Sequence, residues 1–257
     1  MSQFKFVLSA ARLLAERDLF LRFQRGPRRF GAAALLVFPV VLIAAHGFAL
    51  HHGLGVQKVG LPLFLSVGVL HWHFFAATVA RGTATLVSHQ RFLHRYPAPP
   101  LIYPLSSALL GGVELLLAVG LLLLLFPALG GSYHLLLLLY PLLWLQWVSL
   151  AFGIVLVTSA CHFFLRDVRE MVGLGLHLMF WCSPILYGAR RIPADLQPLM
   201  WVLNPIVAHL DITRSILYSA RLPAPSSWAV ALAWDALVLV GGNIFFQKYG
   251  RGFSQPR

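Results

Sequence analysis

Long apolar runs separated by short polar or basic segments dominate this chain of 257 residues. After a basic stretch at residues 1–30, the apolar runs cover about residues 31–50, 59–80, 101–126, 133–164, 171–188 and 228–247. An α-helix needs roughly 20 apolar residues to cross the hydrocarbon core of a bilayer. The pattern therefore predicts an all-α, polytopic membrane protein with six transmembrane helices, in which residues 31–257 form a single transmembrane domain.

Two breaks in the pattern fix where neighbouring spans are separated. Between Tyr96 and Leu165 the only Asp, Glu, Lys or Arg is Glu114, and the turn-forming stretch from Pro127 to Ser132 divides this long run into two spans. The charged cluster from Arg166 to Glu170 then separates the fourth span from the fifth. We expect that cluster to lie in the cytoplasm.

The segment between the fifth and sixth spans follows a different pattern. Five prolines punctuate residues 189–225, and apolar positions recur between them near helical spacing, with Asp211 and Arg214 interspersed. Such a segment is too broken to cross the membrane as one helix. We predict two short re-entrant helices at about residues 193–220 that dip into the outer face, where irregular backbone must lie against protein or a water-filled cavity.

The charge distribution orients the chain. Only 11% of the residues are charged and 59% are hydrophobic, so the formal net charge of +12 indicates a membrane protein rather than a nucleic-acid-binding one. Fifteen of the twenty Lys and Arg residues lie in segments 1–30, 81–100, 165–170 and 248–257. This bias predicts that both termini are cytoplasmic.

The basic N-terminal segment has two interpretations. Seven Lys and Arg residues alternate with apolar ones in residues 1–30, and the stretch from Ser9 to Phe23 fits an amphipathic helix lying in the cytoplasmic interface of the membrane. The alternative is a solvated basic terminus. We do not expect a cleaved signal peptide, because no short apolar core ends in a small-residue cleavage site.

No motif of enzyme chemistry occurs in the chain. It has no phosphate-binding G-x-x-x-x-G-K-[ST] loop, no H-E-x-x-H zinc helix and no G-x-S-x-G nucleophile elbow. The acidic residues Glu114, Asp167, Glu170 and Asp235 form no recognisable catalytic pair. We therefore predict that the chain is not an enzyme and has no catalytic residues, no metal site and no cofactor of its own.

Several polar groups inside the apolar runs have structural interpretations. His71 and His73 are two positions apart and cannot share a helix face, so buried, hydrogen-bonded histidines are favoured over a metal site. Cys161 and Cys182 are expected to be packing residues. Glu114 is an intramembrane acid that must face protein, water or a partner, either as a hydrogen-bonded packing residue or in transport.

Four groups of residues resemble the permease subunit of type-2 ABC exporters, in the branch that exports polysaccharides and teichoic acids. Residues 17–23, RDLFLRF, are similar to the R-D-x-x-x-R-[YF] segment of that family, and Gly31 and Pro39 follow at a similar spacing. Phe92, Tyr96 and Pro97 resemble the stretch before its third span. Residues 163–168, FFLRDV, resemble F-F-R-D-[VI] with one residue inserted.

The most specific part of the resemblance lies at the end of the fifth run. Residues 180–187, FWCSPILY, are similar to F-[WY]-x-[ST]-P-[IV]-x-Y, and they are followed by the pattern P…N-P…R at Pro193, Asn204, Pro205 and Arg214. The resemblance implies a homodimer paired with a separate nucleotide-binding ATPase subunit, which would hold ATP and Mg. It also implies a cytoplasmic coupling helix at about residues 83–95, in which Arg91, Phe92, His94 and Arg95 contact the ATPase, beside an interface helix marked by Arg17, Asp18 and Arg22.

The resemblance also suggests two further sets of residues. Aromatic faces stack on sugar rings, so Trp72, Phe75, Phe180, Trp181 and Tyr187 are candidate glycan-channel residues, unless they face lipid or the core. The candidate outer gate comprises Arg190, Arg191, Pro193, Asn204, Pro205 and Arg214. Its arginines would meet an acidic glycan or a lipid phosphate, or anchor the chain at the headgroups.

The function implied is outward movement of a lipid-linked polysaccharide, of O-antigen or capsule type, across a bacterial cytoplasmic (inner) membrane through a channel between two copies. Membrane lipids would be further partners. The alternatives are an ABC exporter of another lipid or drug, a membrane-embedded glycan transferase and an envelope scaffold protein.

Overall fold

The computed structural model describes residues 2–25, 41, 60–95 and 98–254. Within these ranges the chain is helical, without strands, which confirms the all-α class for the described residues. The α-helices are α1 (Ser2–Arg25), α2 (Leu61–Thr83), α3 (Thr85–Ser88), α4 (Gln90–Arg95), α5 (Ile102–Leu124), α6 (Tyr140–Phe164), α7 (Val168–Cys182), α8 (Gln197–Leu203), α9 (Pro205–Leu217) and α10 (Pro225–Tyr249). Short 3₁₀ turns lie at Pro127–Leu129, Leu135–Leu139, Ala189–Arg191 and Gly250–Ser254.

Four helical segments of the described chain are long and apolar enough to cross a membrane. They are Leu61–Thr83, Ile102–Leu124, Leu135–Phe164 and Pro225–Tyr249. They coincide with the second, third, fourth and sixth predicted spans. The first predicted span, at residues 31–50, lies outside the described residues. Helix α7 has 15 residues and ends at Cys182, before the predicted end of span five, so the full set of six spans stays a prediction.

Several helices have a proline at one of their first two positions. Pro62, Pro141, Pro205 and Pro225 all occupy the first two positions of their helices. Proline is favoured there, because the backbone N–H it lacks would have no partner within the helix. The same residue type that interrupts the segment between α7 and α10 therefore also begins α9 and α10.

Helices α6 and α10 approach each other closely through glycine. A Cβ on Gly242 would lie 2.6 Å from the carbonyl oxygen of Gly153, and one on Gly153 would lie 2.6 Å from the carbonyl carbon of Val238. Small residues at such a contact let two helix backbones meet, which is a common form of helix packing in membranes. The two helices form the most extensive helix pair in the described chain.

Helix α9 is enclosed by α2, α6 and α10. Most of its side chains are buried, including Ile206, Leu210 and Ile216, which have no exposed surface. The indole of Trp147 in α6 donates to the hydroxyl of Thr213 at 3.0 Å, which ties α9 to α6. With 13 residues, α9 is shorter than a membrane span. Re-entry of residues 193–220 into the membrane stays a prediction.

Helix α1 extends beyond the predicted Ser9–Phe23 and packs on α5. Ala11 and Ala15 are buried, whereas Phe6, Leu13 and Phe20 are more than half exposed. These three residues recur every seven positions and so lie along one line of the helix surface. Along the whole helix, however, apolar and charged residues do not separate into two faces. Phe4 and Leu8 are also exposed, away from this line, so the helix lacks the single amphipathic face that the sequence suggested.

The helical bundle has two distinct ends. Phe64, in the first turn of α2, packs edge-on against Tyr218 at the end of α9, with ring centres 5.4 Å apart. The other end of α2 leads directly into α3 and α4. Because α2 has 23 residues, its two ends lie about 33 Å apart, with the end of α9 at one of them and the α3–α4 segment at the other. We call these the gate end and the coupling end of the molecule.

Candidate functional site

The turn after α7, residues 183–187 (SPILY), is held at the gate end by α9. The amide nitrogen of Asn204 donates to the hydroxyl of Ser183 at 2.8 Å. Its amide oxygen accepts the backbone N–H of Ile206 at 3.0 Å, which caps the N-terminus of α9. A single buried side chain therefore fixes the start of α9 and one end of the SPILY turn.

Arg214, on the same helix, holds the rest of the turn. Its guanidinium donates to the backbone carbonyl oxygens of Pro184, of Ile185 at 2.5 Å and of Tyr187 at 3.3 Å. Only 8% of the residue is exposed. Burial lowers the pKa of this guanidinium to about 9, so it remains protonated at neutral pH. The charge is satisfied by carbonyl dipoles, which are strong acceptors for a buried cation.

Gly68 in α2 makes room for this arrangement. A Cβ at that position would overlap the Nη2 atom of Arg214 and would lie 2.8 Å from the carbonyl oxygen of Ile185. The absence of a side chain thus lets both the guanidinium and the turn approach α2. Three separated segments meet here, namely α2, the SPILY turn and α9.

The structure divides the predicted outer-gate residues into two groups. Asn204, Pro205 and Arg214 are buried. We call the contacts of Asn204 and Arg214 with the SPILY turn the brace of that turn. Arg191 and Pro193 are exposed in the turn that follows the SPILY segment. The side chain of Arg190 is outside the described set. Arg214 therefore meets backbone carbonyls, and the contacts of the gate arginines with a glycan or headgroup stay a prediction.

Three of the predicted channel aromatics lie in contact between α2 and α7. The Trp72 ring centre is 5.9 Å from that of Phe180 and 5.7 Å from that of Phe75. Trp72 and Phe75 are buried, and Trp181, next to Phe180, is 63% exposed. Tyr187 stands apart in the turn, where its hydroxyl donates to the carbonyl oxygen of Cys182 at 3.4 Å. Any glycan-facing surface in this single chain is therefore offered by Phe180, Trp181 and Tyr187 more than by α2.

The predicted coupling helix of residues 83–95 consists of two short helices, α3 and α4. Phe92 is 49% exposed, and Arg91 and Arg95 are also exposed. The side chain of His94 is outside the described set. A half-exposed aromatic flanked by exposed cations at the end of a bundle has the form of a docking surface. Its role toward an ATPase stays a prediction.

The predicted interface residues of α1 lie against this coupling segment. Arg17 forms an ion pair with Asp18 at 2.8 Å, and its Nη2 atom is 3.5 Å from Nε2 of His89. The His89 ring stacks on Tyr103 with ring centres 4.8 Å apart. A cavity of about 480 Å³ lies among these groups and Phe92. The side chain of Arg22 is not described.

The intramembrane acid Glu114 has a basic partner. Its carboxylate accepts a hydrogen bond from Arg81 at 2.6 Å, and both side chains are mostly buried. Arg81 stands in the last turn of α2, one residue beyond the predicted end of the span at residue 80. The pair links α2 to α5 near the coupling end.

Two polar links between α9 and α10 were not predicted from the sequence. Nε2 of His209 is 3.2 Å from a carboxylate oxygen of Asp235, with both groups buried. Ser227 donates to Asp211 at 2.8 Å. The signal that points to them is the presence of His209 and Asp235 in apolar surroundings, where a polar group needs a partner.

Known proteins resemble the chain along nearly its full length. It is 24% identical over 241 residues to the O-antigen export system permease protein RfbA of Klebsiella pneumoniae, covering 91% of this chain and 89% of that protein. It is 25% identical over 197 residues to the RfbA protein of Myxococcus xanthus, covering 76% and 75%. It is 24% identical over 228 residues to the polysialic acid transport protein KpsM of Escherichia coli, covering 86% and 84%.

No model of a protein family matches the chain. The relatives are nevertheless permeases and transport proteins of polysaccharide export. They confirm the resemblance to polysaccharide-export permeases that the motifs indicated.

Proposed function

We propose that the chain is the transmembrane permease subunit of an ATP-driven exporter that moves a lipid-linked polysaccharide, of O-antigen or capsule type, out of the bacterial cytoplasm. The observation that carries this proposal is the similarity to export permeases over 91% of the chain. The all-helical bundle with four membrane-length apolar helices in its described part supports it. Both termini would lie in the cytoplasm, on the side of the coupling end.

The energy for export would come from a partner. The chain contains no phosphate-binding loop, so ATP and Mg would be held by a separate ATPase subunit. The exposed Phe92, Arg91 and Arg95 at the coupling end form the surface on which that subunit docks. Two copies of the chain would pair to enclose the channel, with α7 exposed along much of its length in the single chain.

The gate end would act on the substrate. The SPILY turn connects α7 to the segment that precedes α9, and its position is fixed by Asn204 and Arg214. Phe180, Trp181 and Tyr187 lie on or next to this turn, and their rings suit the apolar faces of sugars. The exposed Arg191 suits an anionic group of the lipid carrier.

The test begins with co-expression of this chain with candidate ABC ATPase subunits from the same organism, followed by purification through a tag on the chain. We expect the two to co-purify and ATP hydrolysis to rise when lipid-linked glycans are added in proteoliposomes. Stimulation by another lipid or a drug, but not by glycans, would reassign the substrate. Failure to associate with any ATPase would favour a glycan transferase or a scaffold protein.

Two variants of Phe92 test the proposed docking surface at a single residue. Phe92→Ala removes the exposed ring, whereas Phe92→Leu retains an apolar anchor of similar size. If the ring docks on the ATPase, the alanine variant should lose at least ten-fold in transport-linked ATP hydrolysis and the leucine variant much less. Equal activity of both variants and the unaltered protein would remove Phe92 from the docking surface.

A further inference from the structure

Helix α10 contacts functional groups at both ends of the molecule. In its first half it is linked to α9 through the Ser227–Asp211 pair in the first turn and the Asp235–His209 pair near the middle of the helix. Near its end, Phe246 packs on Phe253, with ring centres 5.1 Å apart. Helix α9 carries Arg214, so α10 is joined directly to the brace of the SPILY turn.

The attachment at the coupling end is apolar. Phe253 has no exposed surface and belongs to a cluster that includes Leu86 of α3 and Leu93 of α4. Its ring centre is 5.1 Å from that of Phe163, at the end of α6. The turn Gly250–Ser254 also contacts α4 directly. A displacement of α3 and α4 therefore reaches α10 through closely packed side chains, which resist deformation.

The attachment at the gate end is polar and directional. Nδ1 of His209 is 2.8 Å from the carbonyl oxygen of Pro205, so this nitrogen carries a hydrogen and donates it. Nε2 then faces Asp235 and forms a hydrogen bond with its carboxyl group. The proton of this bond is carried either by Nε2 or by the carboxyl oxygen. Because both groups are buried, neither has water as a substitute partner.

Between the two attachments, α10 is one continuous helix. The stretch from Asp235 to Phe246 contains no proline and is about 17 Å long. Rigid secondary elements are among the structures that carry coupling between distant sites. Helix α10 is such an element, and with the turn Gly250–Ser254 it reaches from α3–α4 to α9.

We propose that α10 transmits the movement of the coupling helices to the gate end, with Phe253 as its attachment to α3–α4 and the His209–Asp235 pair as its attachment to α9. This role rests on the proposed function, because the movement originates in the ATPase. His209, Asp235 and Phe253 are positioning residues and contact neither substrate nor nucleotide.

The experiment compares matched variants of the two attachments in the complex with its ATPase. Asp235→Ala removes the partner of His209, whereas Asp235→Asn retains a hydrogen bond, since the asparagine amide donates to the free Nε2 of a neutral imidazole. Phe253→Ala empties the cluster, whereas Phe253→Leu keeps it apolar. We expect the alanine variants to assemble and hydrolyse ATP at the basal rate but to export at least ten-fold less, and the conservative variants to stay within three-fold.

The double variant Asp235→Ala with Phe253→Ala tests whether both residues act on one connection. If both residues act on one connection, the double variant should lose no more export than either single variant, because each substitution alone already interrupts that connection. Losses that multiply would overturn the proposal, as would full export by Asp235→Ala. Poor assembly of Asp235→Ala together with poor export by Asp235→Asn would assign the pair to folding and also overturn it.

A readout independent of glycan separates this proposal from the function. Ser215, half-buried on α9, is replaced by cysteine in a Cys161→Ala, Cys182→Ala background and labelled with a membrane-impermeant maleimide. Addition of ATP should change the labelling rate at least three-fold in the parent and not in Asp235→Ala. If that holds without glycan export, the proposed substrate fails and the role of α10 stands. An ATP response retained in Asp235→Ala overturns the role of α10.

Discussion

The guanidinium carbon of Arg214 lies 3.8 Å from the centre of the Phe64 ring, so the cation is packed over an aromatic face while its N–H groups bind carbonyls. Guanidinium is suited to this combination, because it is planar and presents several donors in a fixed geometry. The relationship joins the first turn of α2 to α9 and to the SPILY turn. It makes Arg214 a structural centre of the gate end.

Arg214→Lys should therefore destabilise the protein despite keeping the charge. The lysine ammonium carries all its donors on one nitrogen, so it cannot reach all three carbonyl oxygens and also lie over the Phe64 ring. Each hydrogen bond to a charged group contributes about 1.5–3 kcal/mol. We expect a loss of about 2–4 kcal/mol in the free energy of unfolding, measured by denaturant titration in detergent. Arg191→Lys, at an exposed arginine, is the control and should change it by less than about 0.5 kcal/mol. Equal effects at both positions would contradict the assigned role of Arg214.

Gly68→Ala tests the close approach of α2 to the same brace. The added methyl group would collide with the guanidinium of Arg214 and the carbonyl of Ile185, and overpacking of this kind costs about 1–3 kcal/mol. Gly120→Ala in α5 is the matched control, because no atom lies within 4 Å of its Cβ position. That control should be neutral or stabilising by up to about 1 kcal/mol, given the helix propensity of alanine. A stable Gly68→Ala variant would show that the contact relaxes freely.

Ser183→Ala should leave the amide of Asn204 without its acceptor. A buried donor that loses its partner costs about 1–3 kcal/mol, so the melting temperature should fall while the cap of α9 stays intact. Ser219→Ala changes an exposed serine just after the end of α9 and should have no measurable effect. Thermal unfolding followed by circular dichroism measures both. The prediction is wrong if the two serines behave alike.

The Arg81–Glu114 pair predicts a rescue. Glu114→Leu removes the carboxylate partner of Arg81 and should cost about 1–3 kcal/mol, below the 3–5 kcal/mol of a fully buried pair, because Arg81 keeps some exposure. Adding Arg81→Met removes the charge that has lost this carboxylate and should restore most of the stability. Unfolding titrations of the two single variants and the double variant measure this coupling. Additive losses would instead indicate that each charge acts alone.

The apolar runs predicted the four membrane-length helices of the described residues well, because the length of a span is set by the bilayer and can be recognised without tertiary contacts. The short helix α9 was also foreseen, since Pro205 begins it and prolines surround it. The role of Arg214 was not, because its partners are backbone carbonyls, which leave no mark in a sequence. Equally, the pairing of His209 with Asp235 joins residues 26 positions apart and becomes visible only when α9 packs on α10.

The sequence was least informative about which face of α1 packs against the rest of the protein. Basic and apolar residues alternate there, which suggested an amphipathic helix, yet Ala11 and Ala15 pack on α5 and the exposed apolar residues Phe4, Leu8 and Leu13 do not share one face. Small residues carry little weight in a hydrophobic pattern, although they let helices pack closely. The same property hid the contact between Gly153 and Gly242.

That glycine contact limits how the bundle can move. Where two helix backbones touch, no intervening side chain can change rotamer to absorb a shift, so α6 and α10 travel as one body. Helix α6 leads directly into the charged turn at Arg166 and from there into α7. A displacement of α10 would therefore also displace α6 and, through Arg166, the first turn of α7, which lies at the opposite end of that helix from the SPILY turn.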